Sequence, residues 1–377
     1  GDLHIEMVAA QCIGTLLKGS GWEEAIVASG ITQSGTADAL LKVTHVTKSQ
    51  RIFQVTAAAL HLLMKQAYES YTIDCEKNEE MPLHFEEWAE EKNNQPNFSF
   101  WSCILRFIIT FLCFLFSLRT GNFLCYVESL KKIATWMFAL DHTNYSRWLP
   151  VYIVELQQLA EKQAEVYRNF LNGDFVIHKT LNAFSAIGID QANEQNIDMV
   201  KGDGGAIGLL QNDKALKKWM TVGPELAHIL HEFDCSLVDE GETCNTDGNS
   251  PKHHEQCESV QNEFQQQVLS LANSIDEMGN PFCDSSPELY SIASKICADK
   301  SVIESVQTIE ELGKQQYETY VQKCLDQKTA SVFDAISKNS LPLFSKPIKP
   351  QESKSKLELM TEKKMLDCLQ TCSYLAQ

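Results

Sequence analysis

The chain has 377 residues, 44% of them apolar and 22% charged, with 18 Gly and 10 Pro. Those figures predict a globular protein of two or three domains and exclude general disorder, collagen and a multi-span membrane protein. Lys and Arg number 32 against 50 Asp and Glu, a net charge of −18 that repels phosphate backbones, so DNA binding by this chain is expected to be weak.

Helical periodicity dominates from the first residues. Ile5, Val8, Cys12 and Leu16 form one apolar stripe, with Gly19 suited to a C-terminal cap. Residues 50–72 repeat the pattern through Ile52, Val55, Ala59, Leu62 and Leu63. Asp74 to Lys92 holds eight acids and two lysines and reads as a solvated connector and helix face. Phe98 to Leu118 carries one charge, Arg106, and is long enough to cross a bilayer. Arg106 would be costly in lipid and no second span exists, so the expectation is a buried helix, apolar all round, with Arg106 paired.

Pro150 is placed to open a helix over Val151 to Phe170. Phe175, Val176 and Ile177 read as a short strand, followed by apolar residues from Ala183 to Ile189. A helix is expected through Ala215 to Phe233. Glu232 to Glu258, with eight acids and one Lys, reads as a loop that marks a boundary. Val260, Phe264, Val268, Leu271 and Ile275 predict an amphipathic helix, and Val302 to Leu325 another. Leu341 to Pro350 (LPLFSKPIKP) should be extended, and a last helix should run from Lys356 to Leu369. The predicted fold class is mainly α: many helices, few short strands.

Thirteen cysteines, an odd number without a CxxC pair, point to a reducing compartment. Cys235, Cys244, His254 and Cys257 fit no zinc-module spacing and read as ordinary thiols and an ordinary imidazole. No secretory signal pattern opens the chain, so an intracellular protein is expected, not a secreted one. Lys201 to Gly208 (KGDGGAIG) lacks the GK[ST] of a P-loop and breaks the GxGxxG register at Ile207. His253-His254 reads as an exposed helix start. No Gly-x-Ser-x-Gly or HExxH occurs.

Three polar clusters remain: Gly1 to Met7 (GDLHIEM), Ala139 to Trp148 (ALDHTNYSRW), and Ile187 to Asn196 (IGIDQANEQN), where Asp190 and Glu194 share a helix face. Carboxylates brought together by a fold can hold two divalent metals for in-line attack on phosphodiesters. The structural alternative is a helix-start acid, a buried polar network and a capped surface helix.

GDLHIEM, FALDHTNYSRWLPVY, FSAIGIDQANEQNIDMVKGDGGAIGL and PKHHEQCESVQNEF resemble a family of uncharacterised, mobile-element-derived proteins of animal genomes. That family is distantly similar to RNase H-like (DDE-type) transposases. The resemblance implies a remnant of an RNase H-like α/β core at 1–20 and 175–236, a helical insertion at 21–174, an acidic loop at 237–258, and a C-terminal helical region at 259–377 with a Pro-rich linker at 341–350. It places Asp2 and Glu194 at catalytic, metal-holding positions, with His4 and Asp190 in support. Asp141, His142 and Arg147 are expected to form a structural network. The implied cofactor is Mg²⁺, the implied ancestral substrate is DNA, and the implied location is the nucleus. The strand carrying the first catalytic Asp is not recognised in this sequence, so the chain is expected to be an inactive fragment. Two other readings stay open: a helical protein-interaction scaffold, and a single-span membrane protein anchored through 98–118.

Overall fold

The computed structural model describes residues 1–178, 184–201 and 257–344, with scattered positions between 214 and 229. The Gly-rich stretch after Lys201, the acidic segment up to Gln256, His253-His254 and the helix expected at 356–369 lie outside the described residues, and that expected at 215–233 does so at most of its positions. The fold is mainly helical. Ten helices precede the first strand: α1 (Asp2–Leu17), α2 (Trp22–Ala28), α3 (Ser34–Leu41), α4 (Val46–Lys77), α5 (Phe85–Lys92), α6 (Pro96–Thr120), α7 (Phe123–Ala139), α8 (Thr143–Gln157), α9 (Leu159–Lys162) and α10 (Ala164–Leu171). An antiparallel pair follows, β1 (Val176–His178) and β2 (Ala186–Gly188), in the register Val176 to Gly188. Then come α11 (Ile189–Lys201), α12 (Glu258–Glu277), α13 (Lys300–Tyr320) and a π-helical turn, Val321–Asp326.

The centre is the hairpin of α6 and α7, and its ends are written in the local sequence. Pro96 occupies the first turn of α6, where its missing N–H costs nothing. Gly121 stops the helix with φ +66°, and Asn122 starts α7 by accepting the Cys125 amide at 3.0 Å. Phe107 stacks on Trp136 with ring centroids 4.3 Å apart. α1 and α4 cover one side of α6, and α13 packs along both α6 and α7. One apolar cluster runs from Ile5 to Leu343 through all these layers.

Two expectations change. Pro150 lies inside α8 rather than at a helix start, and the stretch expected to be one helix over Val151 to Phe170 is split among α8, α9 and α10. The first half of α8 precedes the proline and carries the polar cluster at 143–147, which hides its helical character from hydrophobic patterning. α6 is apolar but not buried all round: Trp101 is fully buried, whereas Ile109 and Phe116 are about half exposed on the outer face. Arg106 stands on that same outer face, where Nη2 meets Glu310 of α13 at 2.7 Å and Nε meets it at 3.3 Å. By length and composition α6 could cross a membrane, and 61% of its most apolar stretch is buried inside the fold.

Candidate functional site

The residue that caps the start of α1 is Gly1, so the N-terminal amides of the helix have no side-chain cap of their own. The cap comes from another element. Asp190, in the first turn of α11, accepts the Leu3 amide through Oδ2 at 2.8 Å, and its Oδ1 takes the Gln191 amide at 3.0 Å. An acid at this position also faces the positive ends of both helices. His4 Nδ1 lies 3.7 Å from Asp190 Oδ2.

Asp2 joins this junction from the first turn of α1. The Tyr126 hydroxyl on α7 donates to Asp2 Oδ1. The Tyr152 hydroxyl on α8 lies 3.1 Å from that of Tyr126, and since Tyr126 spends its single hydrogen on Asp2, Tyr152 is the donor of this pair. Glycines permit the crowding. A Cβ on Gly188 would sit 3.1 Å from Asp2 Oδ2 and 3.2 Å from Asp190 Oδ1, and one on Gly1 would run into the Asp190 carboxylate. The two acids therefore share the space over Gly188, their oxygens no farther apart than the sum of those two distances.

Burial raises the Asp2 carboxyl above its ordinary range and the nearby Asp190 charge adds to this, while the Tyr126 hydrogen bond works against it. Burial and the Asp2 charge push the Tyr126 phenol upward as well. One turn further into α1, Glu6 is buried and receives the Gln50 side-chain amide. Beside the acids lies a cavity of about 440 Å³, walled by Tyr145, Trp148 and Tyr152 of α8 and by Asn193 of α11.

The expected residues divide between two places. Asp2, His4 and Asp190 come together where α1 packs on α11. The acid that meets Asp2 is Asp190. Glu194 is exposed one turn on, about 6 Å farther along the helix axis. Asp141, His142 and Arg147 lie at the start of α8, and Asp141 and Arg147 face the segment after α13. Asp141, with φ +63°, accepts the amides of Asn339 and Ser340 at 2.6 and 2.8 Å. Arg147 Nη2 donates to the Asp334 carbonyl at 3.0 Å, and burial lowers the His142 imidazole below its ordinary range. Asp141 and Arg147 thus anchor the segment after α13.

Tyr126, Tyr152 and Gly188 were not singled out from the sequence. Each reads locally as an ordinary helix aromatic or turn glycine, and only the tertiary contact gives it a role. Among the described residues, no group of three or more His, Cys, Asp or Glu side chains is placed to hold a metal ion.

Residues 78–341 match the family described as a domain of unknown function (DUF8702), and the chain belongs to that family. No curated protein and no solved structure matches it.

Proposed function

We propose that the chain is a transposase-related protein of the nucleus in which the RNase H-like acidic site has become a structural clasp that does not cleave DNA. The observation that carries this reading is the convergence of Asp2 and Asp190 from distant parts of the sequence, Asp190 lying directly after the two-stranded sheet. The resemblance to transposases implies a meeting of Asp2 with Glu194; Asp190, the supporting acid one turn earlier on the same helix, holds that place here. The partners of those acids argue for inactivity. One Asp2 oxygen is held by Tyr126 and both Asp190 oxygens by backbone amides. Mg²⁺ demands near-octahedral oxygen coordination, so binding here would compete with those donors and still need further ligands. An active ancestor used Mg²⁺ on DNA; this chain keeps the scaffold.

The test is a supercoiled-plasmid nicking assay with Mg²⁺ or Mn²⁺, comparing the chain with Asp190→Asn. We expect no nicking from either. Nicking by the parent chain that Asp190→Asn abolishes would overturn the inactive half of the reading. The ancestral half is tested in the genome: a strand ending in Asp encoded upstream, within flanking inverted repeats, supports it. Their absence would favour a helical interaction scaffold.

A further inference from the structure

The cavity beside the acid pair is not used by the clasp. α8 contributes Tyr145, Trp148 and Tyr152, spaced three and four apart so that one helix face supplies all three. Asp2 and Asp190 close the opposite side. Its volume of about 440 Å³ suits a small organic group. The walls are held in place: Tyr152 is tied to Tyr126, and the Trp148 ring meets Phe333 edge-on with centroids 5.8 Å apart. Trp148 is 48% exposed, so part of its indole stays open to a ligand.

The chemistry of the lining selects among ligands. Anions are repelled by two carboxylates. A neutral apolar group would fill the space but gain nothing from the charge of those carboxylates. A bare divalent metal gains little from aromatic walls and finds too few free oxygens. A methylated ammonium satisfies every wall: it is cationic, its methyl groups shed water readily, and aromatic faces attract it through their quadrupoles. We propose that this cavity binds a methylated ammonium group, with Tyr145, Trp148 and Tyr152 against the methyls and Asp2 and Asp190 balancing the charge. The carboxylates need not release their present donors, because a quaternary cation makes no hydrogen bonds and is held by charge and contact alone. The proposal goes beyond the clasp reading and stands whether or not the ancestry holds, since it uses only the placement of α1, α8 and α11.

Calorimetric titration of the full chain with an end-blocked trimethyllysine tests it, the control being the neutral analogue in which carbon replaces the charged nitrogen. The expected result is saturable binding of the cation, at least about tenfold tighter than the neutral analogue, as cation–π attraction in a partly desolvated site implies. Trp148→Ala and Asp190→Asn should each weaken it by about tenfold, with circular dichroism confirming that both variants fold. Trp148 is exposed enough that its truncation leaves the core intact, so this variant decides the matter if Asp190→Asn fails to fold. Equal affinity for the neutral analogue, no binding by the parent, or indifference to Trp148→Ala would each overturn the proposal. So would competition by millimolar Mg²⁺, which would assign the acids to a metal. The nicking assay reads cleavage and this one reads cation affinity, so either proposal can fail alone.

Discussion

Glu6 faces inward from α1 and is 3% exposed, a position where a charge is costly unless it is paired. Burial, more than any other influence, raises its carboxyl from 4.5 to about 7. The Gln50 amide and Arg119 oppose that rise, and Asp190 and Asp2 add to it. Between those two values the folded chain holds a proton that the unfolded chain has released. Stability must therefore fall as pH climbs through that window, and the full penalty applies above about pH 7. A displacement of that size corresponds to roughly 3 kcal/mol as an upper figure. Glu6→Gln keeps an acceptor for Gln50 and removes the titration. In urea melts the variant should match the parent near pH 4.5 and exceed its stability at pH 8. Equal stability at both pH values would mean that the Glu6 charge is not penalised by the fold. Asp2 shares this sign, since burial raises its carboxyl as well.

Between elements, close approach is written in glycine. Gly313 of α13 lies against α7 so tightly that a Cβ there would stand 2.3 Å from the Thr135 carbonyl oxygen, backbone that cannot swing aside. Gly313→Ala should lower stability by about 1–3 kcal/mol, the usual cost of overpacking. Gly35, exposed in α3, is the counter-case, for a Cβ there meets nothing within 4 Å. Gly35→Ala should stabilise by about 0.4–1 kcal/mol, by restricting the unfolded chain. Thermal melts that fail to separate the two variants in sign would refute this account of the α7–α13 contact. These two glycines look alike in the sequence, and that marks the limit of what patterning reads. α4, α12 and α13 were legible because each presents an apolar stripe at helical spacing. The strand at Val176 was legible from its run of β-branched and aromatic residues. The interruption of the helix expected after Pro150 was not, because periodicity registers which residues are apolar and not where the chain changes direction. At the site, the acids were visible as polar residues in apolar surroundings. Their real partners, Tyr126 and Gly188, were invisible, because only the fold brings α7 and β2 to the head of α1.

On the scale of the molecule, the family match and the folding unit do not coincide. The match begins at residue 78, after α4, and ends at 341. Yet Ala9, Cys12 and Ile13 of α1 and Phe53, Leu60 and Leu63 of α4 are fully buried in the single apolar cluster. Removing residues 1–77 would strip cover from α6: Phe111, which meets Phe53 of α4 edge-on with centroids 6.2 Å apart, would lose that partner and face water. The C-terminal limit cuts as deeply. Leu343 is buried, Phe344 packs on Phe100 with centroids 5.4 Å apart, and Asp141 secures the preceding turn through Asn339 and Ser340. A protein made of residues 78–341 alone should therefore be insoluble or melt without cooperativity. Residues 1–344 should unfold in one sharp transition at a temperature close to that of the whole chain. Circular dichroism melts and limited proteolysis of the two fragments distinguish these outcomes. A sharp transition in 78–341 near the midpoint of the whole chain would show that α1 to α4 are an appendage. The loss expected instead follows from area. Helices that bury most of an apolar neighbour contribute about 25 cal/mol for each Å² they remove from water, and a fold of marginal net stability does not survive losing that contact.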